Sequence, residues 1–396
     1  MAFEQTWRWF GPHDPITLKE IKQTGATGIV TALHHVPTGD VWSRDEIMKR
    51  KTAIEAEGLR WSVVESLPVH EDIKQRGALA TSYLENFMES LRNLGRCGID
   101  VVCYNFMPVL DWSRTDLNVQ FRDGSVTTKF DATAFAAFDL FLLRRPAAER
   151  EYSEVKFKAA KEFFDSLDEE RKHRLVRTVL LGFPGSGEAY TLETLRAALQ
   201  KYQGVTENDL RRHLQEFLRA VVPVAGEAGV LLAIHPDDPP WSLLGLPRIV
   251  SSAADIRQIL GAIESPNNGL TLCTGSFGAG RKNNLAAIAE EFAPRISFIH
   301  LRNVKRSHEE NFLEDNHLDG DIDLYQVMKT LLLEQQKREN SGRNDRRMPM
   351  RPDHGHLMLD DMKKNFYPGY SLYGRMRALA ELRGMELGIR RALGIA

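Results

Sequence analysis

The 396-residue chain predicts an α/β protein, a (β/α)8 TIM barrel with a mostly helical insertion after its fourth strand. Three observations lead to that fold. Eight short apolar runs, at residues 6–10, 28–33, 61–65, 101–106, 230–235, 269–274, 296–301 and 348–352, alternate with helical segments. That alternation is the pattern of parallel strands joined by crossover helices. The period is interrupted between Asp111 and Gly204, where no apolar run of that type occurs. Finally, four of the later runs stop abruptly at His, Cys, Arg and Asp residues. Barrels place their chemistry at the carboxyl ends of their strands, so this switch is the expected one.

In chain order, Trp7-Arg8-Trp9-Phe10 is a strand closed by Gly11-Pro12. Thr17 and Glu20 have capping-box spacing for a helix to about Thr24. The strand Gly28–Leu33 ends in His34-His35, and Ser43 caps a helix to Ala56 that Glu57-Gly58 terminates. Trp61–Val64 runs into Glu65-Ser66, with His70 soon after. An amphipathic helix at Ser82–Leu94 leads to the strand Val101–Phe106.

The insertion, residues 111–204, reads as a hairpin at Val119–Phe130 around Asp123-Gly124. Helices follow at Ala132–Arg144, Val155–Ser166, Glu169–Leu181 and Thr191–Tyr202. Phe183–Tyr190, with Pro-Gly-Ser-Gly, is a loop and not a phosphate loop, because no Gly-Lys-Ser/Thr follows. After a long helix at Asn208–Gly229, the last four strands are separated by helices near Ala253–Ile263, Asn284–Phe292 and Leu324–Arg338. Lys337–Arg347 reads as a charged, flexible connection, and Leu372–Leu393 as the closing helix. The whole chain, 1–396, is then one barrel domain with 111–204 inserted in it.

Composition narrows the function classes. A chain 42% hydrophobic and 27% charged can build a packed core. A net charge of −2 without a basic block argues against nucleic acid as a partner. No basic-then-apolar leader and no apolar run of roughly 18–20 residues point to secretion or a membrane. Cys97, Cys103 and Cys273 make no disulfide framework, so a reducing cytoplasm is expected, with Cys97 and Cys103 as small core residues. A homo-oligomer is left open.

The four strands that end in polar residues deliver His235, Cys273, His300 and Asp353. A histidine closing one strand is ordinarily a hydrogen-bonded rim residue. Four ligand types closing successive strands of one barrel share a rim, and two imidazoles, a thiolate and a carboxylate suit a divalent metal. The thiolate and carboxylate cancel a 2+ charge, so an anionic substrate needs other cations. Arg302 and Arg351 stand beside two of the ligands, and Arg8 on the first strand is a third candidate, with an ion pair as its structural alternative. Asp237-Asp238 is placed to orient His235 or to form a turn. His354, directly after Asp353, and Tyr370, on a Gly-bent loop near the same rim, are candidates for proton transfer. His34, His35, His70 and His317 lie at other rim positions, and Asp319–Asp323 reads as a solvated loop and helix start.

These motifs together resemble the mannonate dehydratase family. The segments are Trp-Arg-Trp-Phe-Gly-Pro, Thr-Ala-Leu-His-His-Val-Pro, Trp-Ser-Val-Val-Glu-Ser, Cys-Tyr-Asn-Phe-Met-Pro-Val-Leu-Asp-Trp, His-Pro-Asp-Asp-Pro-Pro, Cys-Thr-Gly-Ser, His-Leu-Arg and Met-Arg-Pro-Asp-His-Gly. They extend over almost the whole chain. The resemblance implies a metal-bearing barrel of the xylose-isomerase-like group. It also implies dehydration of D-mannonate to 2-dehydro-3-deoxy-D-gluconate in glucuronate catabolism, with Mn(II) or Fe(II). The family's ligands map onto His235, Cys273, His300 and Asp353, and its acid/base residues onto His354 and Tyr370. His356 stands where relatives often carry another polar residue and is not assigned to catalysis. The same-barrel alternative is a metal-dependent sugar isomerase or epimerase, which needs no anchor for a carboxylate. A multi-metal nuclease would want a basic groove, and a non-catalytic sugar-acid binder would not need the acid/base pair.

Overall fold

Eight parallel strands close the barrel in the computed structural model, which describes residues 2–181, 190–308 and 310–395. In chain order the strands are β1 (Glu4–Arg8), β2 (Gly28–Thr31), β3 (Arg60–Glu65), β4 (Val101–Tyr104), β5 (Asp116–Gln120), β6 (Val126–Phe130), β7 (Leu231–Ile234), β8 (Asn268–Cys273), β9 (Ile296–Leu301), β10 (Asn303–Arg306), β11 (Phe312–Asp315) and β12 (Pro349–Pro352). The barrel order is β1-β12-β9-β8-β7-β4-β3-β2, each strand beside its predecessor in the alternating series. The eight apolar runs read from the sequence are these barrel strands, shifted by no more than a few residues.

The crossover helices follow the same local chemistry. Thr17 and Glu20 form the expected capping box at the start of Leu18–Gln23, and Ser43 caps Arg44–Glu55. Ala80–Arg96, Glu207–Glu227, Ala253–Ala262, Leu285–Phe292, Leu324–Asn340 and Leu372–Leu393 complete the surrounding layer. Their apolar faces and the outer faces of the strands form one continuous core. A smaller cluster of Val30, Val63, Val101, Cys103, Ala233 and Phe298 fills the barrel interior. Cys97 and Cys103 are buried in these cores, as expected.

Between β4 and β7 the chain carries the hairpin β5–β6, then helices at Ala132–Ala137, Glu154–Asp165, Glu169–Leu180 and Leu192–Gln200. The Ala132 helix continues as a π-helical stretch, Phe138–Leu143. Of the loop expected at Phe183–Tyr190, all but Tyr190 lies outside the described residues. The hairpin does not stand alone. It joins a second hairpin, β10–β11, in a four-stranded antiparallel sheet of order β10-β11-β6-β5. β10–β11 follows β9 directly and was not foreseen, because its Asn-Val-Lys-Arg and Phe-Leu-Glu-Asp strands carry little apolar signal.

The connection 337–347 differs from the flexible linker expected. Arg338 is buried and donates to Glu334, Ala293 and Ile296 at 3.0, 2.7 and 3.0 Å. Arg343 pairs with Glu334 and Asp345, and Arg347 with Glu4 and Asp100. The charges that made the stretch look solvated are spent on closing the amino-terminal end of the barrel.

Candidate metal centre

Barrel register brings the ligand types together. Cys273 on β8 pairs with His300 on β9, and His300 pairs with Arg351 on β12. Across the barrel Glu65 on β3 pairs with Cys103 on β4, which pairs with Ala233 on β7. Side chains two apart on a strand face the same way. Val63, Ala233, Thr271 and Phe298 form the layer beneath, so Glu65, His235, Cys273 and His300 form the layer above it, at the carboxyl-terminal mouth. The donor atoms of His235, Cys273 and His300 all lie within 4.8 Å of one another.

Each imidazole has one nitrogen facing an oxygen acceptor. His235 Nδ1 lies 2.7 Å from the Pro236 carbonyl, so it carries the proton and leaves Nε2 as a lone pair. His300 Nε2 faces Glu65 at 3.4 Å, a long contact that still places the proton on the carboxylate side. The other nitrogens, His235 Nε2 and His300 Nδ1, point at each other 3.2 Å apart, and Arg351 Nη2 lies 3.4 Å from His300 Nδ1. Two lone pairs converging beside a sulfur suit a cation, and a carbonyl and a carboxylate behind the imidazoles are the usual outer partners of metal-bound histidines. Burial holds His235 below the ordinary imidazole value and therefore neutral. Asp237 and Asp238 do not orient His235. Asp237 accepts from Val250 N and Ser251 Oγ, and Asp238 from Arg114 and Arg302.

Asp353, one residue past β12, lies beside this group of three but outside it. Its Oδ2 is 3.5 Å from Cys273 Sγ, but both oxygens are also held by arginines, Arg351 at 2.6 Å and Arg302 at 3.1 Å. These pairs belong to a buried chain of alternating charge. Arg8 faces Glu65 at 3.8 Å, and Glu65 accepts the fork of Arg351 at 2.9 and 3.1 Å. Arg351 reaches Asp353, Asp353 reaches Arg302, and Arg302 reaches Asp238 at 2.6 Å and Glu314 at 3.4 Å. Arg114 pairs with both Asp238 and Glu314. Burial alone would raise the carboxyls. Arg351, His300 and Arg8 nevertheless hold Glu65 well below the usual range, and His354 with the two arginines does the same for Asp353. All three arginines expected to bind an anionic substrate are thus at the centre, each facing an internal carboxylate. Gly275 makes room for one of them, since a Cβ there would lie 1.8 Å from Arg302 Nε.

His354 and Tyr370 sit together beside Asp353. The rings meet edge to face with centroids 5.1 Å apart, and Phe10 packs on Tyr370 at 4.9 Å. Tyr370 is delivered by Tyr367-Pro368-Gly369-Tyr370, in which Tyr370 N donates to Tyr367 O and Gly369 has φ 82°. That is the chemistry of a type II turn. Burial pushes the Tyr370 phenol up to about 12, with Arg351 opposing. His354 Nδ1 is 3.2 Å from Glu314 and 3.4 Å from Arg302.

The other histidines separate cleanly. His356 is bonded at both nitrogens, to Ser125 Oγ and the Glu314 carbonyl. His317 bonds the Leu301 carbonyl, and burial lowers it to about 4. His70 caps the helix Glu71–Gln75, and His35 pairs with Glu46 at the surface. His34, which burial lowers to about 3, lines a cavity of about 840 Å³ over the ends of β1–β4, together with Arg8, Ser66, His70 and Asn105. In the acidic run, Asp323 caps Leu324–Asn340 and Asp321 pairs with Lys305 and Arg306. Three residues of the centre were not singled out from the sequence: Glu65, Arg114 and Glu314.

The chain matches the family model described as D-mannonate dehydratase (UxuA) over residues 3–395. It is 53% identical over 391 residues to a mannonate dehydratase of Marinomonas sp., covering 98% of this chain and 100% of that one. It is 54% identical over 388 residues to a mannonate dehydratase of Chromohalobacter salexigens, covering 98% and 99%. The crystal structure of a mannonate dehydratase from Streptococcus suis serotype 2 superposes with a TM-score of 0.78 at 35% identity, covering 99% of this chain and 95% of that one. A xylose isomerase-like TIM barrel from Mycobacterium smegmatis, at 12% identity and a TM-score of 0.50, shares the fold.

Proposed function

The chain belongs to the D-mannonate dehydratase family, and from that premise we propose that His235, Cys273, His300 and Asp353 hold the divalent cation of a hydro-lyase acting on D-mannonate. The observation that carries this site is the convergence of two imidazole nitrogens and the Cys273 sulfur, with Pro236 and Glu65 facing the outer nitrogens. Softness of the thiolate alone favours Zn(II). The family resemblance favours Mn(II) or Fe(II), and we adopt that. Three free, buried cysteines support a reducing cytoplasm as the working place. No described helix is long and apolar enough to cross a membrane. The product, a 2-keto-3-deoxy sugar acid, fits glucuronate catabolism.

The reaction removes the C2 proton, next to the carboxylate, and expels the C3 hydroxyl as water. The enol left behind ketonises. A bound divalent cation would stabilise negative charge developing on substrate oxygens. The chain's own residues must move two protons. Tyr370, held protonated by burial, is suited to give a proton to the leaving hydroxyl. His354, with Nδ1 turned to Glu314, presents Nε2 to accept the C2 proton. Arg8, Arg302 and Arg351 are the cations available to the substrate carboxylate, which would share them with Glu65, Asp238 and Asp353. The cavity beside Arg8 has room for the rest of an open-chain six-carbon acid. A sugar isomerase or epimerase is not favoured, because the relatives that match end to end are dehydratases.

The test is direct. Protein stripped of metal and reloaded with Mn(II) or Fe(II) should convert D-mannonate to a 2-keto-3-deoxy acid. A ketose or epimer as product, or recovery with Zn(II) only, would refute the reading. Arg302→Lys keeps the charge but loses the planar fork. Its KM for D-mannonate should rise about tenfold or more, since a hydrogen bond to a charged group is worth roughly 1.5–3 kcal/mol. An unchanged KM would make Arg302 a purely internal ion-pair partner.

A further inference from the structure

Glu314 lies on β11, outside the barrel, yet its carboxylate is buried at the barrel mouth. The residue is fixed at both ends. Its carbonyl accepts from Thr127 Oγ1 at 2.9 Å and from His356 Nε2 at 3.1 Å. Its Oε1 meets His354 Nδ1 at 3.2 Å and Arg114, and its Oε2 lies 3.4 Å from Arg302 Nε. Arg114, Asp238, Arg302 and Glu314 close a buried ring of alternating charge. The loop after β12 is strapped to the same sheet by the pairing of Val126 with Leu357 and by Ser125 on His356.

His354 Nδ1 therefore has two neighbours of opposite demand. Arg302 Nη1, at 3.4 Å, can only donate, and Glu314 Oε1, at 3.2 Å, can only accept. A bare Nδ1 would turn its lone pair on a carboxylate oxygen. A protonated Nδ1 makes the shorter bond to Glu314, and the 3.4 Å contact to Arg302 is then close packing. In the neutral ring Nε2 is left with the lone pair, 3.8 Å from Asp353 Oδ1 and turned into the centre.

We propose that Glu314 is a positioning residue for the dehydration: from a hairpin outside the barrel it fixes the ring plane and tautomer of His354, so that Nε2 faces the substrate. The small sheet is then part of the active apparatus, through Glu314 and through Arg114, which leads into β5. This inference rests on the reading of His354 as a proton-transfer residue.

The test compares Glu314→Met, which removes both acceptor and charge, with Glu314→Gln, whose amide oxygen can still accept from Nδ1–H. In metal-loaded enzyme, Glu314→Met should lower kcat for D-mannonate by about a hundredfold or more, the scale of a mis-set catalytic imidazole. KM and bound metal should change little. Glu314→Gln should recover at least about tenfold of that loss, which a mere charge-balancing role would not produce, since Gln has no charge. In a His354→Asn background neither change should lower kcat further. Glu314→Gln as impaired as Glu314→Met, or losses that multiply with His354→Asn, would overturn the proposal and leave His354 in place. Normal turnover in His354→Asn alone would overturn both readings. Should Glu314→Met fail to fold, Glu314→Gln with and without His354→Asn still decides: multiplying losses refute the proposal, and the absence of any further loss supports it.

Discussion

Cys273→Ser is expected to cost the enzyme its metal and with it nearly all turnover at limiting metal. Cys273 is fully buried at the end of β8, with Ser276 Oγ 3.1 Å and Asp353 Oδ2 3.5 Å from its sulfur. Serine occupies nearly the same space and can bond to both neighbours, so no buried polar group is orphaned. Its hydroxyl stays protonated at neutral pH and is a hard, uncharged ligand, which removes one of the two negative charges that balance a 2+ ion. Loss of a partner behind a ligand already costs roughly 10–100-fold in affinity, so loss of the ligand itself should exceed about a hundredfold. Metal content by elemental analysis and kcat/KM should fall together, while the melting transition of the metal-free protein stays within about 1 kcal/mol of the parent. Full metal and activity at limiting metal would make Cys273 a core residue only. Metal-free enzyme held in air should recover less activity on reloading than enzyme held with thiol reductant, because the sulfur without its metal is open to oxidation.

The centre was legible where its residues close apolar strands. His235, Cys273 and His300 each follow a run of hydrophobic residues, and barrel closure turns that linear signal into proximity. Glu65 carries the same signal, ending Arg-Trp-Ser-Val-Val-Glu, but a lone carboxylate is not distinctive as a ligand. Arg114 and Glu314 carry no such signal. Glu314 is placed by the pairing of β11 with β6, and Arg114, just before β5, by the pairing of β5 with β6, so segments of different hairpins meet only in the folded chain. Length of sequence separation, rather than weakness of chemistry, hid them. The opposite error occurred at 337–347, where a dense run of charges looked solvated but is neutralised in place by Glu334, Asp345, Glu4 and Asp100. His354 and His356 show the limit of local reading most sharply. They are two residues apart, yet one turns its ring to the centre and the other is tied at both nitrogens to the second sheet.

Tyr370→Phe and His354→Asn should each lower kcat by roughly 10²–10⁴, the range of a lost general acid or base, with metal content unchanged. Tyr370→Phe removes an oxygen only. The ring keeps its edge contacts with Phe10 and His354, and the turn that delivers it is made by Pro368 and Gly369, not by the phenol. His354→Asn removes the ring while leaving a polar group beside Glu314. The two losses are then separable by the order of bond breaking. If His354 takes the C2 proton and Tyr370 serves the leaving hydroxyl, Tyr370→Phe can still exchange the C2 proton for deuterium from solvent without losing water. His354→Asn should neither exchange nor dehydrate. Mass spectrometry or proton NMR of recovered D-mannonate reads the difference. Exchange retained in His354→Asn and abolished in Tyr370→Phe would reverse the two roles. Near-normal kcat in both would remove the pair from the chemistry and turn attention to His34, which lines the cavity next to Arg8.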